Sequence, residues 1–401
     1  MLKPFLFSCL ATSLFNISCA SQPSSAQTSV ELPVKKVAFT DSIPKNAQPP
    51  SKNSKKRKIQ VALLLDVSNS MDGLIDQAKS QLWKMVNKLA NAKKENDEVE
   101  MNIALFEYGN DRLDAGEGYI RMVQSLGTDL DGVSEQLFKL NTKGGEEYCA
   151  WVIRSAVHNL QWSDHPADMK VIIIAGNEPF DQGPVPFRKS CEAANQKNII
   201  INTIHCGDYA LGVRTHWKDG ADIGKGKYMN INTDEKVVHL PTPWDDKVIE
   251  LNQLLNKTYI SYGKSGHLKK ERQMKEDANA ASYSRSNAAQ RSLSKSKGSY
   301  KNTEWDLVDA AEADTKFYEN VKEDELPAEF KGKSKQEIKT MIDALAKQRL
   351  EIRKELREIE KKMEVFVAAE RKKSANSSKT LDNVLIQTVV EQAQAQGFQF
   401  E

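Results

Sequence analysis

Asp66, Ser68 and Ser70 stand at alternate positions in the run KIQVALLLDVSNSMDG, which begins at Lys58. One carboxylate and two hydroxyls on a short stretch are three hard oxygen donors. Mg²⁺ takes such donors together with water, and Mn²⁺ or Ca²⁺ can use the same set. The same residues have a second use, as a capped turn whose hydroxyls bond to nearby backbone. Asp72, just beyond them, reads as a helix cap rather than a ligand.

Chemistry of this kind needs a rigid support, and the residues before Asp66 supply one. Residues 59–65 form a continuous, β-branched-rich apolar run without period-2 alternation. Such a run predicts a strand buried on both faces, as in a parallel sheet. A loop leaving that strand lies at the sheet's carboxyl edge, where open α/β folds bind ligands. Residues 74–89 then place apolar side chains on one helical face. A strand pair at 99–108 and 119–123 is joined by the polar GNDRLDAGEG. Helices follow at 129–140, after a capping Thr128, and at 147–160, entered through Gly144-Gly145. The apolar runs 171–175 and 198–205 read as strands, with a helix at 186–196 between them and a closing helix at 244–259. The predicted class is α/β: a Rossmann-like, mostly parallel central sheet with helices on both faces.

The buried strand ending in Asp-x-Ser-x-Ser, the amphipathic helix and the strand with its hairpin partner resemble the von Willebrand factor type A family. The likeness covers residues 58–262 and is nearest to poorly characterised bacterial envelope proteins carrying that domain. The resemblance implies a metal-ion-dependent adhesion site, completed by a threonine on a second loop and an aspartate after a later strand. This chain departs from the pattern at both places. Glu146 and Glu147 follow Gly144-Gly145 in LNTKGGEEYCAW, and Gly176-Asn177-Glu178-Pro179 follows the 171–175 run. On the functional reading Glu147 replaces the threonine, and Glu178 or Asn177 replaces the aspartate. The implied metal ligands are therefore Asp66, Ser68, Ser70, Glu147 and Glu178. The added carboxylates would hold the ion more tightly and weaken its attraction for an acidic partner. On the other reading, Glu146 and Glu147 simply open a helix, whose first turn favours acids.

The flanks add localisation and assembly. Lys3 followed by an apolar stretch to Ile17 reads as a signal peptide over 1–19, too short for a comfortable membrane span. Cys19 resembles a bacterial lipoprotein cleavage site, although Asn16 departs from the usual leucine; cleavage after Ala20 is the other exit. Either places the chain outside the cytoplasm, in the cell envelope through a lipid anchor or secreted. Residues 20–57 read as a flexible Ser/Pro/Lys-rich linker. The thiols of Cys149, Cys191 and Cys206 are odd in number and read as small buried hydrophobes. Residues 263–330 read as a polar linker with a weak helix. Residues 331–373 carry a heptad-like seam from Ile338 to Phe366, broken only by Arg349, which predicts either a coiled coil able to pair two copies or a helix packing back on the domain. Residues 374–401 hold a short final helix and tail.

No Gly-x-Ser-x-Gly elbow, zinc-protease helix or phosphate loop occurs, and nothing pairs a nucleophile with a base. The net charge of +2 gives no reason to invoke nucleic acid. The expectation is an exported, non-enzymatic, metal-assisted protein-binding module. The alternative is a metal-independent adaptor that oligomerises through 338–366.

Overall fold

The computed structural model describes residues 56–95, 97–234, 240–314, 316–373 and 381–400. The expected signal peptide, Cys19 and the linker up to residue 55 lie outside the described residues.

In chain order, β1 (Lys58–Asp66) leads into α1 (Asp72–Ala90), the short β2 (Ala92–Lys94) and β3 (Asp97–Glu98), and then β4 (Glu100–Tyr108). β5 (Ile120–Gly127), α2 (Leu130–Lys139) and α3 (Cys149–Asn159) follow. β6 (Met169–Gly176), α4 (Phe187–Gln196) and β7 (Ile200–Cys206) continue the alternation. α5 (Tyr209–Arg214), α6 (Trp217–Ile223) and β8 (Lys225–Ile231) end it. The main sheet has the order β5-β4-β1-β6-β7-β8. β1 pairs in parallel with both β4 and β6, and only the edge strand β5 runs antiparallel. This is the predicted class, with the central strand flanked on both sides as its unbroken apolar sequence requires.

Alternate residues of β1 enter two cores. Val61, Leu63 and Leu65 face α1 and α2 through Leu74, Leu82, Val86 and Leu137. Ala62 and Leu64 face α3, α4 and α6 through Val152, Cys191 and Trp217. Each fully buried Leu, Ile or Val contributes about 1.5–3 kcal/mol. Cys149, Cys191 and Cys206 are free and buried, as their reading as small hydrophobes requires. Two local differences from the sequence reading concern caps and short elements. Asp129, not Thr128, caps α2 by accepting from the Gly132 amide at 2.9 Å. The elements α5, α6 and β8 were not anticipated, because they are short and β8 opens on Lys-Gly-Lys. Gly226 is needed there, since a Cβ would lie 1.9 Å from the Ile201 carbonyl oxygen.

The chain beyond residue 240 differs more deeply. α7 (Asp245–Lys257), α8 (Gly266–Tyr283), α9 (Arg285–Ser294), α10 (Leu307–Ala313), α11 (Phe317–Asn320), α12 (Lys335–Lys373), α13 (Leu381–Ala395) and β9 (Gln399–Phe400) build a further helical layer. The expected polar linker over 263–330 is thus packed structure: α9 lies against α1, α7 and α8. Its small Ala and Ser residues allow close approach, and its charges are paired rather than solvated. Arg291 is wholly buried between Asp131 (2.7 Å) and Asp277 (2.9 Å), with its guanidinium 4.2 Å from the Trp83 ring centre.

The expected coiled-coil seam is likewise used within the chain. Ile338, Ile342, Ile352, Leu356, Ile359 and Met363 of α12 are all buried, the first two against Leu307, Val308 and Phe330 and the other four in the larger core. Arg349, the break in the heptads, is the anchor. It bonds Asp306 (2.6 Å), Asp309 (2.8 Å) and the Thr258 hydroxyl (3.0 Å) from a site only 1% exposed. The α/β layer is also not closed by the 244–259 helix, since α7 packs on α9 and α12. Closure falls to α13, which lies against α1 and β8 and inserts Leu385, Val389 and Ala393 into the first core. Gln392 and Asn202 of β7 exchange two amide hydrogen bonds of 2.8 Å, and β9 pairs with β2. Among the described residues no helix is long and apolar enough to cross a membrane.

Candidate metal centre

β1 delivers Asp66 to the carboxyl edge of the sheet with no exposed surface. Its Oδ1 accepts the Ser68 amide at 2.8 Å, and its Oδ2 is buried without a hydrogen-bond partner. The hydroxyls of Ser68 and Ser70 lie 3.3 Å apart. Two glycines wall in the carboxylate. On Gly109, at φ +79°, a Cβ would lie 2.9 Å from both Asp66 Oδ1 and Glu147 Cγ. On Gly176 it would lie 2.5 Å from the Tyr108 hydroxyl and 3.0 Å from Asp66 Oδ2. That hydroxyl is held in place by donating to the Ala175 carbonyl at 2.9 Å. Only glycine lets both neighbouring strands end so close to the acid.

The second loop, residues 140–148, is fastened across the first. The Lys143 amide donates to the Val67 carbonyl at 2.8 Å, and the Gly144 amide donates to Asn69 Oδ1 at 2.9 Å. The Thr142 hydroxyl donates to Asp72. Asp72 therefore accepts from the second loop as the first residue of α1, and it makes no cap bond. These contacts bring Glu147 over Asp66 and Ser68. Glu146 turns outward to the Gln182 amide at 2.9 Å. The third loop follows β6 and carries Asn177 and Glu178, whose carbonyl accepts the Trp217 indole N–H at 2.8 Å.

The five expected site residues are thus brought to one edge, and their electrostatics show how closely the acids interact. Burial pushes the Asp66 carboxyl up to about 7 against the opposing Ser68 amide, with Glu147 and Glu178 adding to the rise. Burial also pushes Glu147 up to about 7, helped by Glu178 and Glu146 and opposed by the Ser68 hydroxyl. Two acids sharing a dry corner cannot both ionise cheaply without a counter-charge. Among the described residues no three His, Cys, Asp or Glu side chains converge closely enough to hold a metal by themselves. A cation here would therefore draw on Asp66, the two hydroxyls, Glu147 or Glu178, and water. The orphaned Asp66 Oδ2 and the hard-oxygen donor set fit such an ion.

Sequence reasoning did not single out Asn69, Thr142, Gly109 or Gly176. The Gly-Asn pair directly after the 99–108 strand was the available signal for a tight turn beside the site. His205, at the end of β7, is a core imidazole whose burial lowers its pKa, and it stands 3.3 Å from the Asn177 carbonyl oxygen.

No family model matches the chain, and no curated protein matches it. Solved structures do. BatB from Bacteroides thetaiotaomicron, described as a conserved hypothetical protein, is 16% identical with a TM-score of 0.33, covering 43% of this chain and 90% of BatB. An aerotolerance-related membrane protein from Bacteroides fragilis is 13% identical with a TM-score of 0.31, covering 43% and 92%. The SpRpn10 VWA domain is 16% identical with a TM-score of 0.30, covering 48% and 94%. The architecture here rests on its own strand order, on the single antiparallel edge strand and on the acid that ends the central strand.

Proposed function

We propose that this von Willebrand factor type A-like domain is a protein-binding module that holds a divalent cation, Mg²⁺ first among them, at the carboxyl edge of its sheet. Asp66, Ser68 and Ser70 supply the primary donors, and Glu147 and Glu178 the additional carboxylates. The observation that carries this reading is the fully buried, partnerless Asp66 Oδ2. An isolated carboxylate in that position costs several kcal/mol unless it is protonated or paired with a cation. When bound, the cation would neutralise that charge and offer an open coordination position at the loop surface. The chain's own residues do the rest. Gly109 and Gly176 admit the acid, the Ser68 amide orients it, and the 140–148 loop sets Glu147 above it.

The N-terminal leader and Cys19 support an exported module tethered to the envelope. The adaptor reading, in which 338–366 pairs two copies, is the weaker one, because those seam residues are buried against the same chain. The absence of a nucleophile with its base in the sequence supports binding rather than catalysis.

The test is calorimetric titration of the metal-stripped full chain with Mg²⁺, Mn²⁺ and Ca²⁺, beside Asp66→Ala. Saturable binding lost in the variant is expected. A folded wild-type chain that binds none of the three ions overturns the metal centre.

A further inference from the structure

The charge of the chain is close to balanced, with 57 Lys and Arg against 55 Asp and Glu. The carboxyl edge is not. Five of the loops that emerge there, 66–72, 109–119, 140–148, 177–186 and 207–216, carry ten carboxylates against three Lys or Arg. One of the three, Lys143, already pairs with Asp111 at 3.3 Å. Asp111, Glu146, Asp181 and Asp208 are exposed around the rim, while Asp66 lies fully buried with its partnerless oxygen at the centre. A dication set among Asp66, Glu147 and Glu178 would leave that centre with one net negative charge. Such an ion is no longer electron-poor and would not select an incoming carboxylate. The outer loops would repel one as well.

The same edge carries apolar surface. Tyr209 and Val213 of α5, one turn apart on the same side of the helix, are 50% and 37% exposed directly after Asp208. Tyr209 leans on the Tyr228 ring with 5.0 Å between centres, which fixes the aromatic face. Acidic loops beside a rigid apolar helix face are complementary to one kind of polypeptide. We propose that the partner docks on this edge through a basic segment, placing Lys or Arg side chains on the acidic loops and apolar side chains on the exposed face of α5. This rests on the reading of the edge as protein-binding and specifies its ligand chemistry. Long-range attraction speeds the encounter and weakens with salt, while the α5 contact adds salt-insensitive affinity.

The probes are a short labelled Lys/Leu peptide and its Glu/Leu counterpart, titrated against the full chain by fluorescence anisotropy with and without Mg²⁺. Three charge reversals on the edge, Asp111→Lys, Glu146→Lys and Asp181→Lys, are compared with three on exposed, remote positions, Glu329→Lys, Glu351→Lys and Glu358→Lys. Both sets are at the surface and should leave the circular dichroism melt in place. The expected result is saturable binding of the basic peptide, weakened tenfold or more by the edge reversals or by about 0.5 M salt. Remote reversals should change it less than twofold, and Val213→Ser should weaken the salt-resistant part. Failure of the basic peptide to bind, equal sensitivity to edge and remote reversals, or Mg²⁺-dependent capture of the acidic peptide would each overturn the proposal. A chain that binds the basic peptide at the edge but no metal refutes the metal centre alone.

Discussion

Replacing Arg349 by methionine should cost this protein a large fraction of its stability, for a reason unrelated to the length of the side chain. Arg349 is 1% exposed, and its partners Asp306 and Asp309 are 0% and 3% exposed. Burial pulls the guanidinium pKa down, but Asp306, Tyr259 and Asp309 more than offset this and keep it charged. Methionine is a close apolar match in length but stops near the Nε position, short of the guanidinium carbon 4.1 Å from the Tyr259 ring centre. It leaves Asp306 without a counter-charge and Asp309 with only Arg353, 3.7 Å away, and breaking a buried pair in this way costs about 3–5 kcal/mol. With a urea slope of roughly 2–3 kcal/mol/M, the unfolding midpoint should drop by about 1–2 M. The assay is urea unfolding followed by tryptophan fluorescence and circular dichroism. A second variant isolates the cause. Asp306→Asn with Asp309→Asn, added to Arg349→Met, removes the stranded charge. The side-chain amide at position 309 can still accept from the Asn302 N–H, while the one at 306 has a single acceptor oxygen for the Ile260 and Asp309 amides that the two Asp306 oxygens hold now. The triple variant should recover at least half of the loss. A midpoint shift under about 0.3 M for the single variant, below 1 kcal/mol at that slope, would refute the anchoring role. No recovery in the triple variant would show that the cost lies in packing and not in charge.

Two further outcomes follow from the same contacts. A fragment of residues 56–262 should lack a cooperative melt and bind a hydrophobic dye, because it lacks α8, α9 and α13. Burial of Leu385, Val389 and Phe398 alone is worth about 1.5–3 kcal/mol each, comparable to the whole stability of an ordinary domain; a sharp two-state transition in the fragment would contradict this. In the metal-free chain, Asp66 and Glu147 titrate at about 7, above the ordinary carboxylate values of 3.8 and 4.5. The fold then holds protons that the unfolded chain has released, so stability should fall by a few kcal/mol as pH rises from about 4 to about 7 and stay low above it. Asp66→Asn should flatten much of that slope and melt higher than wild type at pH 8 without metal. An unchanged slope in the variant would mean that Asp66 is not the group responsible.

Much of the α/β layer was legible in the linear chain because local pattern and burial coincide there. Six apolar residues among the seven before Asp66, the last five consecutive, read as a strand covered on both faces, and the 3.6-residue period of 74–89 reads as a helix with one buried side. The Asp-x-Ser-x-Ser loop could be placed at the carboxyl edge for the same reason: the strand ends where the acid begins. Short elements with weak pattern, such as the Lys-Gly-Lys opening of β8, were not legible.

Other features depend on partners far away in sequence, which no local pattern encodes. The family resemblance pointed to Glu147 rather than Glu146, but what turns Glu147 inward is the pair of Asn69–Gly144 and Val67–Lys143 bonds between loops. The sequence could not distinguish a free heptad seam from one already filled, because both require the same spacing. Arg349 reads as a flaw in a coiled coil until Asp306 and Asp309 are found opposite it. Residues 266–297 look too polar to pack because a buried Arg or Lys costs more than it returns unless acids meet it, and the acids that meet Arg291, Lys295 and Lys297 sit at Asp131, Asp277 and Glu360. The sequence by itself therefore determined five of the six strands of the main sheet, its central acid and the chemistry available there. Only the tertiary structure decided that the carboxy-terminal third belongs to the same folded body, since pairing buried charge and closing the last strands require contacts between residues as much as 302 positions apart or more.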